Sequence, residues 1–178
     1  LVSAVIAQED HSFFSHRGIN WQQVKHSFWA NIKQGRVVYG ASTIDMQVAS
    51  LCYLKEKKLS KWREKFSETL LATLLAKRYP KEEILRAYLT VEPLTKKELG
   101  FPDASKHYFG KKLSKLSFAE EWSLVLTLRN LDTLNPIKTS VTKKLPKKII
   151  QQWLSAKWRQ SQTLKWSKTK LLLIPYIR

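Results

Sequence analysis

One cysteine in 178 residues, Cys52, excludes an internal disulfide framework and a cysteine-based zinc cluster, and it is compatible with either redox compartment. Glycine and proline are scarce, at five and six residues. Collagen-like and low-complexity classes are therefore excluded, and few points force a regular element to break. No stretch reaches the roughly 18 to 20 apolar residues that a membrane-spanning helix needs, and no basic, apolar, small-residue signal pattern opens the chain. Methionine is absent from position 1, where an apolar run, Leu1-Val2-Ser3-Ala4-Val5-Ile6, begins directly. Such a start is expected of an excised segment whose N-terminal anchor lies ahead of it. Acidic residues are the other shortage: 14 Asp and Glu stand against 32 Lys and Arg, for a formal net charge of +18. That imbalance points to a polyanionic partner, which could be nucleic acid, an anionic membrane surface or a phosphorylated substrate.

What is present is apolar residues at helical spacing. At 43% hydrophobic, the chain can bury one sizeable core, and one mainly helical globular domain is expected. Trp21, Val24, Phe28, Trp29 and Ile32 mark an amphipathic helix over residues 21 to 34, stopped by Gly35 at the C′ position. After the loop "GRVVYGAST", the positions Ile44, Val48, Leu51 and Cys52 predict a helix from Thr43 to Leu54, with Ser42 or Thr43 as N-cap. Residues 60 to 78 carry Trp62, Phe66, Leu70 and Leu74 on one stripe, with Lys65 and Glu68 three apart on a neighbouring face. Pro80 suits the first turn of the next helix, "KEEILRAYL", whose early Glu82 and Glu83 favour the positive helix end. Residues 90 to 103 read as loop. A helix over 117 to 131 starts with a capping box, Ser117 with Glu120.

The tail differs in kind. From Ile137 to Arg178 there is no Asp or Glu, and nine Lys and Arg between Lys143 and Lys170 alternate with Trp153, Trp158 and Trp166. Basic and aromatic residues together fit a membrane interface, where indoles favour the headgroup zone and cations meet lipid phosphate. The same composition fits nucleic acid or a solvated basic extension.

The stretch "VIAQEDHSFFSHRG" places two carboxylates, Glu9 and Asp10, where an apolar helix stops. Taken alone, such a pair reads as solvated charge at a helix end. Four stretches together, however, resemble the peptidoglycan glycosyltransferases of glycosyltransferase family 51. "EDHSFFSHRG" matches the family's Glu-Asp-x-x-Phe-x-x-His-x-Gly through Glu9, Asp10, Phe13, His16 and Gly18. "GRVVYGASTIDMQVA" resembles its Gly-Gly-Ser-Thr-Ile-Thr-Gln-Gln-Leu-Ala through Gly40, Ser42, Thr43, Ile44, Gln47 and Ala49. "EKFSETLLATLLAKRYPKEEILRAYL" is similar to its Arg-Lys-x-x-Glu and Ile-Leu-x-x-Tyr-Leu segments, and "ASKHYFGKKLSKLSFAEEWSL" to its Ala-x-x-Tyr-Phe-Gly-Lys and Leu-x-x-x-Glu-Ala segments. The motifs run over residues 4 to 136, which defines a family-like domain at 1–136 and leaves 137–178 as a basic, Trp-containing extension packed on or following it.

The resemblance implies a mainly α, lysozyme-like domain that polymerises lipid II into β-1,4-linked glycan with release of undecaprenyl pyrophosphate. It implies Glu9 as general base on the 4-hydroxyl of the incoming sugar and Glu68 as the second carboxylate. Lys65 is the matching cation for the pyrophosphate, while Asp10, Phe13, His16, Gly40, Ser42, Thr43 and Gln47 complete the substrate-binding set. No dedicated metal site is implied, although a divalent cation, Mg or Mn, is compatible with the pyrophosphate. Lipid II, the growing lipid-linked glycan, the membrane surface and cell-wall synthesis proteins are the implied partners, on the extracytoplasmic face of a bacterial cytoplasmic membrane. Nucleic acid is not among them: there is no zinc spacing, helix-turn-helix signature or glycine-rich phosphate loop.

Several positions depart from the pattern. The motif Arg is Glu64, and Arg63 lies one place early, about 100° around the helix. The second motif carries Ala41, Asp45 and Met46 in place of Gly, Thr and Gln, and its following Lys-Asn is Ser50-Leu51. Further on, Thr90 replaces Asn and Thr95 replaces Gly. Losing one charge-assisted contact to the leaving group costs on the order of 2 to 4 kcal/mol, roughly 30 to 1000-fold in rate. A weakened enzyme is therefore expected, with a catalytically silent lipid II binder of the same fold as the alternative. A nucleic-acid-binding module, resting on charge alone, is a more distant one.

Overall fold

The computed structural model describes residues 1–36, 40–97, 100–132 and 136, and all of them lie in one compact unit. Seven α-helices order these residues: α1 (Val2–Glu9), α2 (Trp21–Gln34), α3 (Ile44–Ala49), α4 (Lys61–Arg78), α5 (Lys81–Val91), α6 (Phe101–Phe109) and α7 (Phe118–Thr127). Among the described residues there is no strand, and no helix is long and apolar enough to cross a membrane. The expectations for Trp153, Trp158, Trp166 and the basic tail fall outside the described residues.

The shortest helix, α3, forms the centre. Ile44, Asp45, Met46, Val48 and Ala49 are all buried in it, and α4 and α5 pack against it. Around it lie Val5 of α1, Phe13, Ala72 of α4, Leu85 and Tyr88 of α5, Phe101 of α6, and Leu124 and Val125 of α7, all fully buried. Burial of each large apolar side chain contributes about 1.5 to 3 kcal/mol. Gly18 lets the chain pass close to α4. Its φ is +91°, and a Cβ there would stand 2.5 Å from the Ala72 carbonyl oxygen, so a side chain is barred by both conformation and space.

Helix ends follow the sequence signals where the signals are local. Gly35 takes the left-handed conformation (φ 62°) just after α2, and Ser117 with Glu120 forms a complete capping box on α7. Three boundaries differ from expectation. The helix predicted over 43–54 is α-helical only to Ala49, and Ser50–Leu54 continues as a wider π-helical turn. The loop predicted over 90–103 ends early, because Pro102 occupies the first turn of α6, where its missing N–H costs nothing. Finally, α7 stops at Thr127, short of the predicted 131.

The largest difference concerns which way the apolar stripes face. Trp62, Phe66, Leu70 and Leu74 of α4 are exposed, Trp62 at 87% and Phe66 at 72%, and the buried face of α4 holds Ala72 and Leu75 instead. On α2, Trp21, Phe28, Trp29 and Ile32 are exposed as well, and the only buried side chain is Ser27, which donates to the Gly40 carbonyl (3.1 Å). Ser27 of α2 and Ala72 and Leu75 of α4 take the core side, while the large apolar stripes of both helices point away from it.

Candidate active site

The segment from Gly40 into α3 connects every polar group that the sequence singles out. Thr43 caps α3, its Oγ1 accepting from the Met46 N–H (3.2 Å) while the hydroxyl donates to the Gly18 carbonyl (2.6 Å). Asp10 Oδ2 accepts from the Ile44 N–H (3.2 Å) and lies 2.9 Å from His16 Nε2, which ties the turn after α1 to the start of α3. Phe13 packs edge-on against His16 in the same turn. Asp10, Phe13 and Thr43 are fully buried, and the His16 side chain is nearly so. Closed off from solvent, these four hold the Glu9 turn and α3 together.

Asp45 replaces the motif Thr, and its carboxylate is completely buried. Burial pushes its carboxyl pKa up, even though Lys81 at the start of α5 opposes the shift by donating to both oxygens (2.7 and 2.9 Å). The same ammonium lies 4.3 Å from the Phe13 ring centroid. Asp10, His16 and Asp45 present ligand atoms within 4.8 Å of one another. Lys81 already occupies both Asp45 oxygens, so the cation of this cluster belongs to the protein. Asp10 Oδ1 and His16 Nδ1 are buried there without partners.

The remaining predicted residues fall into two groups on the same segment. At one end, Lys65 Nζ donates to Ser42 Oγ and to Glu68 Oε2, both at 2.7 Å. An ammonium has three N–H bonds, so one is left for an incoming oxygen on its half-exposed side. At the other end, Gln47 Nε2 donates to Glu9 Oε2 (3.2 Å), and Gln47 is the only α3 side chain that is not buried. Glu9 Oε1 makes no hydrogen bond among the described residues. Burial raises the Glu9 carboxyl pKa, the Gln47 hydrogen bond and the Arg129 charge lower it, and Asp10 raises it further. Glu9 and Glu68 do not touch; Gln47 and Ser42 relate them through one stretch of backbone.

The transglycosylase family profile matches residues 1–161, most of the chain and beyond the last quoted motif. The chain belongs to the transglycosylase family. With the family come its mainly α, lysozyme-like fold and a place among the glycosyltransferases of peptidoglycan synthesis. Over 140 residues it is 34% identical to penicillin-binding protein 1B of Escherichia coli, covering 76% of this chain and 16% of that protein. It is 36% identical over 150 residues to penicillin-binding protein 1A of Neisseria cinerea, and 35% identical over the same length to that of Neisseria gonorrhoeae, covering 84% of this chain and 18% of each relative. The chain thus spans under a fifth of the length of these relatives.

Within this transglycosylase domain, four groups around Glu9 and α3 escaped the sequence reading: Lys81, Arg129, Tyr88 and Glu92. Lys81 left a signal, because a lysine in the first turn of a helix runs against the macrodipole and needs another reason to be there. That reason is Asp45. Arg129 and Glu92 left none, and Tyr88, the tyrosine of the Ile-Leu-x-x-Tyr-Leu segment, left no sign that its phenol would feel the Glu9 charge.

Proposed function

We propose that this domain polymerises lipid II into β-1,4-linked glycan, with undecaprenyl pyrophosphate leaving, and that Glu9 is its general base. The observation that carries the reading is the state of Glu9: a half-buried carboxylate with raised proton affinity, fixed through one oxygen by Gln47 and open at the other. A general base needs a free oxygen within reach of the proton it takes and a pKa drawn toward the working pH. Glu9 takes the proton of the acceptor 4-hydroxyl as that oxygen bonds to the donor's anomeric carbon. The bond to pyrophosphate breaks on the opposite face, and the anomeric centre inverts. The open N–H of Lys65 meets charge developing on the pyrophosphate, and Glu68 holds that ammonium in place. A divalent cation, Mg or Mn, at the pyrophosphate is compatible with this reading, beside the Lys65 ammonium that Glu68 holds; no step is routed through a metal.

The membrane surface is the proposed setting, on the extracytoplasmic face, with lipid II, the lipid-linked glycan and cell-wall synthesis proteins as partners. Two observations support it. The outward stripes of α2 and α4 present tryptophan, phenylalanine and leucine to the surroundings, and no acidic residue occurs between His11 and Ile44 while Lys25, Lys33 and Arg36 flank the α2 stripe. That combination fits an anionic lipid interface.

Activity is expected to be weakened, since Ser50 and Leu51 supply neither the cation nor the polar group of the motif. The test is incubation of the full chain with lipid II in vesicles, with glycan product resolved by gel electrophoresis. Slow polymer formation that rises when Ser50→Lys and Leu51→Asn are introduced supports the reading. Saturable lipid II binding without polymer, in both forms, would identify a silent binder.

A further inference from the structure

Lys81 opens α5, and its ammonium is drawn into the core although the first turn of a helix disfavours a cation. It donates to both Asp45 oxygens (2.7 and 2.9 Å) and stands 4.3 Å from the Phe13 ring centroid. Asp45 is the second residue of α3, and Phe13 belongs to the turn that follows Glu9. One side chain of α5 thus meets both the helix that carries Gln47 and the turn that carries Glu9. Asp45 and Gln47 are two residues apart, about 200° around the α3 axis. They leave the helix on opposite sides, one toward Lys81 and the other toward Glu9.

Asp45 stands where the motif has Thr, and stability alone does not explain a charge there. Stripping water from two buried charges offsets most of their attraction, so such a pair is a poor source of stability. What a grip on both carboxylate oxygens supplies is orientation. Helix α3 has only six residues, and its contacts with Glu9 and Asp10 are slender: Gln47 Nε2 donates to Glu9 Oε2 and the Ile44 N–H to Asp10 Oδ2, each at 3.2 Å. That distance is the long edge of the hydrogen-bond range. Side-chain ends lie about 5 to 6 Å from a helix axis, so a rotation of α3 by about 10° carries the Gln47 amide about 1 Å and breaks its contact with Glu9.

We propose that Lys81 is a positioning residue for Glu9: gripping Asp45 and seated on Phe13, it locks the rotation of α3 against the turn after α1 and so keeps Gln47 on one Glu9 oxygen, with the other left open. The effect on rate rests on the base role proposed above for Glu9; the lock itself does not. Lys81 acts from within the core, through Asp45 and Gln47, and meets no substrate. A reacting group misplaced by about 1 Å loses up to roughly a hundredfold in rate.

Lys81→Met combined with Asp45→Asn removes both charges at nearly constant volume, and its Tm is expected to stay within about 5 °C of wild type. In steady-state polymerisation of lipid II by the full chain, kcat is expected to fall about ten- to a hundredfold with KM held within about twofold. The acid limb of the pH–rate profile is expected to move to higher pH, because the Gln47 hydrogen bond that favours ionised Glu9 is lost. Adding Gln47→Ala is expected to cost little more, since both changes break the same contact. A kcat that returns together with Tm, or a Gln47→Ala effect undiminished in the double variant, overturns the positioning role and leaves a structural pair. Nitrogen-15 NMR of the Gln47 side-chain amide reads the lock without turnover. In the double variant its signal is expected to move toward the position it takes in Glu9→Ala, and an unmoved signal overturns the lock. If no form makes polymer, the proposed reaction fails while this signal still decides the lock. If the double variant does not fold, Asp45→Asn alone keeps Lys81 and one acceptor oxygen; it is expected to move the amide signal part of the way, and no movement overturns the lock.

Discussion

Lys81→Met removes the ammonium paired with the completely buried Asp45 carboxylate and nearly preserves side-chain volume. Asp45 is left with its backbone contacts inside the core formed by α3, α4 and α5, where an uncompensated charge costs about 3 to 5 kcal/mol. For a domain of this size that is roughly 6 to 20 °C in Tm. Linkage sharpens the expectation. Burial already raises the Asp45 carboxyl above its unfolded value, so the native state binds this proton more tightly than the unfolded state does, and the contribution worsens as pH rises through the folded pKa. Without Lys81 the folded pKa climbs further and the loss widens toward neutrality. Urea unfolding followed by circular dichroism, at about pH 4.5 and pH 7.5, measures both terms. Lys81→Met is expected to be much closer to wild type at the lower pH, and adding Asp45→Asn is expected to recover most of the loss at the higher one. A loss that is equal at both pH values, or a double variant no better than the single one, would refute the buried-charge reasoning.

Other perturbations separate chemistry from packing. Lys65→Gln is expected to reduce polymerisation roughly 30- to 1000-fold while Tm moves by less than about 3 °C, because the ammonium is half exposed; thermal denaturation beside the rate assay checks the split. Gln47→Ala removes a hydrogen bond that favours ionised Glu9, so the acid limb of the pH–rate profile is expected to move to higher pH; a limb that stays put contradicts the assigned contact. Replacing Trp29 and Trp62 by Ser is expected to weaken binding to anionic vesicles by about tenfold or more, measured by vesicle sedimentation, without lowering Tm, since both side chains are exposed.

How much of this was legible in the sequence depended on how local the cause was. The span of α2, its stop at Gly35 and the capping box of α7 follow from spacing and from single residues that satisfy helix-end groups. The contacts of Ser42 with Lys65 and of Gln47 with Glu9 join separate motifs, and the spacing within each motif does not announce them. Periodicity, however, reports that a helix has an apolar face and not what covers it. For α2 and α4 other residues, Ser27, Ala72 and Leu75, took the core side, and the predicted apolar stripes faced out. The Asp45–Lys81 pair joins positions 36 apart, and the Arg129 charge bears on Glu9 across 120 positions. Such partners are decided by tertiary packing, and no pattern along the chain announces them. The π-helical turn at Ser50–Leu54 was hidden for another reason: its apolar spacing differs from that of an α-helix by too little to register over five residues.

Glu9 stands in this domain as the proposed base of a glycosyl transfer. Its most direct test compares polymer formation from labelled lipid II by the full chain and by Glu9→Gln, in the same vesicles, with Tm measured for both. The amide keeps the size of the side chain but cannot accept the proton, so the account predicts loss of polymer by at least about a hundredfold with the fold intact. Polymer at the wild-type rate from Glu9→Gln would contradict it.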